Sequence, residues 1–375
     1  MTFQEFIDKY QKVPVEEYQN NVLEMVPNPM VSCRVSTYQH APYIRQCLDG
    51  ILMQKTNFLF EIVIGEDESS DGTTEICLEY AKKYPDIIRL FLHKRENNIL
   101  IDGNPSAKFQ STYTRYKLRG KYQAICEGDD YWTDPYKLQK QVDFLEENPE
   151  YGMVHSELGH YYYRTGKYVE RHWETSGVTK QSGDIYESLI IGRESMVYFC
   201  TALFRASLQN HGLHDPRVKM EDKPLAIWIA LNSKIGYFDT PMAVRNVLMF
   251  SATQGQKPRI MLEFYQSESI IFQYFNAIRP VSQFVEKQFY IKYYSLIANH
   301  CFINKIGKEQ FNEAYSFLKK NKPTLIIYLQ KLGFLNSTMY LIIFLGIRIY
   351  RRLEYYFLSK YRGPVLIKST NNSYN

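Results

Sequence analysis

Tyr122-Gln123-Ala124-Ile125-Cys126-Glu127-Gly128-Asp129-Asp130-Tyr131-Trp132 reads as a short buried strand that runs directly into a polar turn. Strand-favouring and small residues fill 122–126, Gly120 bounds them upstream, and three carboxylates then fall within four residues. Like charges this close raise one another's pKa unless something positive sits among them. A hard divalent cation held by oxygen ligands is the simplest remedy, and magnesium or manganese usually shares such ligands with phosphates. A solvated acidic turn is the plain alternative, so the surrounding chain has to decide.

Upstream, Met30 to Ser36 reads as a strand ending at Thr37-Tyr38-Gln39-His40, and Pro42 opens a helix with Ile44, Cys47, Leu48, Ile51 and Leu52 at helical spacing. Phe60 to Gly65 is a second strand, ending in Glu66-Asp67-Glu68-Ser69-Ser70-Asp71-Gly72-Thr73. A helix from Thr74 to Tyr84, stopped by Pro85, precedes a third strand from Ile87 to Leu92. A further helix, roughly Pro105 to Leu118, leads back to the opening stretch. This alternation predicts an α/β fold with a mainly parallel sheet flanked by helices. Ligands in such sheets bind outside the carboxyl ends of the strands. The polar clusters at 36–40, 66–72 and 127–130 all lie at those ends and should converge.

Downstream, Pro135 starts a helix over 136–147, and Tyr161 to Arg164 and Tyr168-Val169 form a hairpin about Thr165-Gly166-Lys167. Ser195 to Phe204 is strand-like, and Leu225 to Leu231 is helical after Glu221-Asp222-Lys223-Pro224. Strands at 235–238 and 243–250 complete the domain near residue 255. The expected organisation is an N-terminal extension (1–29), a main domain (30–255) and a helical C-terminal region (256–375).

A chain of 375 residues suits two domains, and 23% charged residues is ordinary for a globular protein. The 32 tyrosines are not ordinary, and they fit either a tyrosine-rich core or a sugar-handling surface. A net charge of +5, dispersed until the C-terminus, gives no reason to expect nucleic acid. Six cysteines without a CxxC pair suit reduced, buried thiols. The N-terminus carries acids and no long apolar core, so no signal peptide is read and a cytoplasmic location is expected. The apolar run 339–347 is shorter than the roughly 20 residues a span needs. With Arg348, Arg351 and Arg352 behind it, it reads as a helix lying in the membrane interface, which would make the protein peripheral. A buried helix or a homo-oligomer contact is the alternative.

From Met30 to Phe250 these residues resemble family 2 glycosyltransferases with a GT-A fold, more narrowly the bacterial enzymes that build capsular or lipopolysaccharide O-antigen sugars. Val31 to His40 resembles the family's opening "VSVxxPTYNH", and Glu61 to Thr73 resembles its "EIIVxDDxSxDGT". Glu127-Gly128-Asp129-Asp130 stands where the family places its DxD motif, and Glu221-Asp222 where it places ED. The resemblance implies an inverting transfer from a nucleotide-sugar donor, of UDP type, to a glycan or lipid-linked acceptor. It implies Mn2+ or Mg2+ held by Asp129 and Asp130, and donor contacts from Thr37, Tyr38, Asp67, Glu127 and Asp130. Asp222 takes the position of the catalytic base, with a helix-capping role as the alternative reading. Asp71 is read as a helix cap. Lys108, Arg115 and Arg95 are candidates to neutralise phosphate, and Trp132 and His155 to line the acceptor cleft or to fill core.

The sequence departs from the family in three places. Ser36 replaces a proline, Glu66 replaces the first aspartate of the second cluster, and Leu248 stands where relatives carry a metal-ligating histidine, leaving His211 or His214 as substitutes. Two rivals remain: a nucleotidyltransferase, which normally needs a phosphate loop that Thr37 to Pro42 does not supply, and a degenerate scaffold without turnover. A dehydrogenase is disfavoured because GxGxxG is missing.

Overall fold

A short edge strand, Glu16–Glu17 (β1), is followed by Val31–Thr37 (β2), Phe60–Glu66 (β3), Ile88–Leu92 (β4) and Tyr122–Ile125 (β5). Every residue of β2 and β3 is buried, as expected of strands covered on both faces. Tyr131–Trp132 (β6), Tyr151–Tyr162 (β7), Lys167–Val169 (β8), Leu203–Arg205 (β9) and Lys234–Val247 (β10) complete the main sheet. Its order is β1-β4-β3-β2-β5-β9-β7-β10-β6, with β8 paired to β7. The run β4-β3-β2-β5 is parallel, as is β7 with β10, while β1, β6, β8 and β9 pair antiparallel. In this computed structural model the described residues are 3–101, 104–106, 108–178, 180, 182–192, 197–213, 215, 217–248 and 257–321. The expected interfacial helix after residue 339 lies outside them, as does His214.

The longer helices are Phe3–Lys12 (α1), Ile44–Leu52 (α2), Thr73–Lys83 (α3), Lys108–Tyr116 (α4), Lys137–Glu147 (α5), Asp222–Asn232 (α6), Pro258–Ile278 (α7), Gln283–Asn304 (α8) and Lys308–Asn321 (α9), with shorter helical turns at Val22–Met25, His172–Thr175 and Tyr186–Ile191. Ile44, Cys47, Leu48 and Ile51 of α2 join Cys77 of α3 and Leu138, Val142 and Leu145 of α5 in one core with Cys33, Val35, Ile62 and Ile64. On the opposite face Phe109 and Tyr113 of α4 pack with Val63 and Phe91, and α1 adds Ile7 and Tyr10. Alternate strand residues thus feed two helical layers. Gly50 lets α2 lie directly on β6, because a Cβ there would stand 2.8 Å from the Trp132 carbonyl oxygen.

Several elements differ from the sequence reading, each for a local reason. The two closing strands are one, β10, which runs through the turn-like Asp239-Thr240-Pro241 with register irregularities between Phe238 and Ala243. Pairing with β7 along its length overrides the local turn signal. A two-stranded ribbon, Ile99–Ile101 with Asn104–Ser106, occupies the start expected for α4. The strand-like 195–204 segment yields a 3-10 turn at Phe199–Thr201 and then β9.

The described residues fall into two compact units, one up to Phe289 and one from Tyr290 to Asn321. In the second, Tyr294 packs on Phe317 at 4.6 Å and its hydroxyl donates to Glu313 at 2.8 Å. Among the described residues no helix is long and apolar enough to cross a membrane. All six cysteines are free and buried.

Glu61 of β3 is fully buried, and its carboxylate ties three segments together. Oε1 accepts from the Ser32 hydroxyl at 2.6 Å and the Arg119 N–H at 3.1 Å, while Oε2 accepts from Arg119 Nη2 at 2.7 Å. Removing one partner of a buried pair leaves the other charge uncompensated. Glu61→Ala should therefore cost about 3 kcal/mol in urea unfolding, at the low end of the range for buried pairs because Arg119 keeps some solvent. Glu61→Gln should cost less, since it keeps an acceptor.

Candidate active site

The site is built on the end of β2. The Ser36 carbonyl accepts from the Gly128 N–H at 2.9 Å, and the Thr37 carbonyl accepts from the Asp67 N–H at 3.2 Å. The loops after β3 and β5 are thus stitched to either side of one strand end, and the three polar clusters converge as the sequence led us to expect. Gly128 makes the close approach feasible: a Cβ would stand 2.7 Å from Thr37 Oγ1 and 2.8 Å from His40 Nδ1.

On the β3 side, Asp67 Oδ2 pairs with Arg95 Nη1 at 2.7 Å, and Asn98 Nδ2 donates to both carboxylate oxygens at 2.7 and 2.8 Å. Burial pushes this carboxyl up to about 6, with Asn98 and Arg95 pulling it the other way. The Arg95 guanidinium lies 3.8 Å from the centre of the Tyr38 ring, so Tyr38 and Asp67 share one cation. Thr37 is buried, and its hydroxyl lies 3.2 Å from His40 Nδ1, within the loop rather than facing solvent. Asp71 does what a cap does, accepting from the Thr73 N–H at 3.1 Å and the Ala41 N–H at 3.0 Å.

On the β5 side the three acids part company. Asp130 turns inward: it is buried, and its Oδ1 accepts from the Asn246 N–H at 3.0 Å. Asn246 Nδ2 in turn donates to the Asp129 carbonyl at 2.6 Å, fixing the loop against β10. The Asp129 carboxylate has no hydrogen bond or ion pair among the described residues. Glu127 lies 3.7 Å from Arg34 Nη2, and Arg34 is held by the Ser111 carbonyl at 3.0 Å and hydroxyl at 2.9 Å. Burial pushes Glu127 up to about 7, Arg34 opposes this, and Asp222, Asp129 and Glu221 add repulsion.

Asp222 is the first residue of α6 and is exposed. Its loop is fastened to α7 by the Lys223–Glu268 ion pair, by Lys219–Glu263 at 3.7 Å, and by Ser267 Oγ, which donates to the Arg217 carbonyl at 3.0 Å. Surrounding protein raises its carboxyl above the usual range and Glu221 adds to this, while Arg34 and Arg245 oppose it. Glu127 and Asp222 both touch water, and surrounding protein together with the neighbouring acids raises both carboxyls.

Arg34 and Asn246 were missed by sequence reasoning. Arg34 had a signal, since an arginine inside Val31-Ser32-Cys33-Arg34-Val35 needs a buried partner. Asn246 had none, because its role depends on which strand lies beside the acidic loop. Trp132 and His155 are core: Trp132 Nε1 donates to the Cys200 carbonyl at 2.8 Å, and buried His155 packs on Tyr237 at 5.1 Å. Lys108 Nζ donates to the Val218 carbonyl at 3.0 Å.

Among the described residues no group of three or more His, Cys, Asp or Glu is arranged to hold a metal. The open Asp129 carboxylate suits a single-ligand anchor for a cation carried by a diphosphate, which supplies the remaining oxygens. Asp130 is spent on Asn246, and His211 Nδ1 accepts from the Leu213 N–H within its own loop.

The family model "Glycosyl transferase family 2" matches residues 32–101, which carry β2 to β4 and their helices. Uncharacterized protein Rv1520 of Mycobacterium tuberculosis is 45% identical over 114 residues, 30% of this chain and 31% of that protein. EpsE of Bacillus subtilis, whose name assigns it provisionally to the glycosyltransferases, is 30% identical over 130 residues, 35% of this chain and 43% of its own length. The chain therefore spans about a third of the curated relatives it matches. Among solved structures, S. aureus TarS 1–349 in complex with UDP-GlcNAc superposes with a TM-score of 0.55 at 16% identity, covering 85% of this chain and 91% of that one. At that identity the likeness is one of fold. Residues 32–101 therefore match the family 2 glycosyltransferases, and the sheet shares its fold with TarS, as the GT-A-type reading expects.

Proposed function

We propose that this chain transfers a sugar from a UDP-sugar donor to a hydroxyl of a glycan or lipid-linked acceptor, with inversion, in cell-surface polysaccharide synthesis. The observation that carries the reading is the pair of water-facing acids, Asp129 without a protein partner among the described residues and Asp222 at the start of α6, both of which add repulsion at Glu127. The likeness to TarS, solved with UDP-GlcNAc, supports the donor class.

In this reading Tyr38 and Asp67 receive the base end of the donor, with Arg95 moving aside from Asp67 to admit a base N–H. Glu127, held by Arg34, faces the ribose and diphosphate. Asp129 would hold Mn2+ or Mg2+, which would supply Lewis-acid stabilisation of the departing diphosphate. Asp130 holds the loop through Asn246. Asp222 accepts the proton of the acceptor hydroxyl as its oxygen bonds to the anomeric carbon and the bond to the diphosphate breaks. A peripheral location through the C-terminal tail belongs to the same proposal. An open Asp129 and a solvent-reachable Asp222 count against a scaffold that has lost turnover.

The direct test is thermal denaturation with UDP and manganese. At a ligand concentration a hundredfold above Kd, binding should add about 2.7 kcal/mol. For a unit of this size that raises Tm by roughly 5 °C or more. A shift with ATP or NAD and none with UDP would overturn the donor assignment.

A further inference from the structure

Five tyrosines that the chemistry above does not use share one face of the sheet beside the acidic loop. Pairing fixes their side: Tyr131 stands opposite Val244, Val244 opposite Gly159, and Tyr161 opposite both Asn246 and Tyr168. Residues directly opposite in a sheet point the same way, as do residues two apart along a strand. Tyr131, Tyr161 and Tyr168 therefore project together, and Tyr163 follows two residues after Tyr161.

Three of the rings touch in series. Tyr163 meets Tyr161 edge-on at 4.8 Å and 84°, and Tyr43, from the turn before α2, meets Tyr163 at 5.0 Å and 81°. Tyr168 lies across Gly159, where a Cβ would stand 2.8 Å from its hydroxyl. Tyr163 and Tyr168 remain 40% and 50% exposed. The row is continuous with the acidic loop. Asn246, opposite Tyr161, donates to the Asp129 carbonyl at 2.6 Å, and burial, then the Asp129 carboxylate, raises the Tyr43 phenol.

We propose that Tyr43, Tyr131, Tyr161, Tyr163 and Tyr168 form a saccharide-binding track that holds the sugar residues of the acceptor behind the one that reacts. It rests on the transferase reading given above. A sugar ring has an apolar C–H face and a rim of hydroxyls, and a phenol offers an apolar face with one hydroxyl at its edge. Edge-to-face packing fixes the rings before a ligand arrives, and tyrosine has few rotatable bonds to immobilise. A surface built this way takes successive sugars without reading one strictly.

The test uses the full chain and saturation-transfer NMR with three free oligosaccharides: maltohexaose, chitohexaose and mannohexaose. UDP with manganese is run on the same samples as a thermal shift. At least one oligosaccharide should bind, and Tyr163→Ala with Tyr168→Ala should weaken it about tenfold, a few-fold per aromatic ring lost. Leu23→Ala, an exposed apolar control, should leave binding as it was. Equal binding by the double variant overturns the proposal, as does failure of all three saccharides on a chain that binds UDP. Loss of a dimer in the double variant overturns it too, because the strip would then be a contact between copies. If the parent chain fails to bind UDP, the transferase reading falls by itself, and a saccharide signal lost in the double variant would still stand for the track.

Discussion

Asp222→Asn is expected to lower the rate of sugar transfer by about a thousandfold, within the range for a positioned general base. Asparagine has nearly the same shape and keeps the polar start of α6, but it cannot take a proton. The Glu221 side chain makes no capping bond, and none from Asp222 supports the helix, so a capping role would predict a different outcome. In that case the variant would lose stability, by at most about 1 kcal/mol, and keep most of its turnover. The decisive measurement is kcat beside the unfolding midpoint: a large fall in kcat with little change in the midpoint assigns the base. The pH profile adds an independent check. Enclosure and Glu221 raise the Asp222 carboxyl, so the parent chain should lose activity on acidification at a higher pH than an ordinary aspartate would dictate. The protonated form cannot accept, so the loss runs in the acid direction, and the variant's residual rate should lack that limb.

The architecture of the first half was legible because each parallel strand announces itself as a short apolar run closed by a polar turn. Val31–Thr37 and Phe60–Glu66 are buried throughout, and that leaves a strong pattern in one dimension. The grouping of the polar ends followed from topology, since parallel strands put their carboxyl ends on one edge. The second half was less legible. The 14-residue β10 passes through Asp239-Thr240-Pro241, residues that locally favour a turn, and only its pairing with β7 keeps it extended. The division of labour among the acids was hidden for the same reason. Asp129 and Asp130 are adjacent and alike in sequence, yet one is half-buried and still reaches water while the other is buried and taken by Asn246, more than a hundred residues away. Arg34 shows the middle case: its position in a buried strand signalled a partner, but not that the partner would be Glu127.

The split between those two adjacent acids gives the second large effect. Asp129→Asn is expected to cut manganese-dependent hydrolysis of a UDP-sugar by about a hundredfold to a thousandfold, several kcal/mol of lost charge stabilisation at the leaving diphosphate. The loop itself should survive, because Asn246 grips the Asp129 backbone carbonyl rather than its carboxylate. Unfolding should therefore be nearly unchanged without ligand, while the extra stabilisation by UDP that depends on manganese should vanish. Asp130→Ala should behave in the opposite sense. It strands the buried Asn246 N–H and should cost about 1–3 kcal/mol of stability. Its effect on hydrolysis should then follow from loosening of the loop, and lowering the temperature should recover part of it. If Asp129→Asn keeps its manganese-dependent stabilisation and Asp130→Asn loses it, the cation sits on the inner acid. Asn246 would then have to release Asp130 when the donor binds.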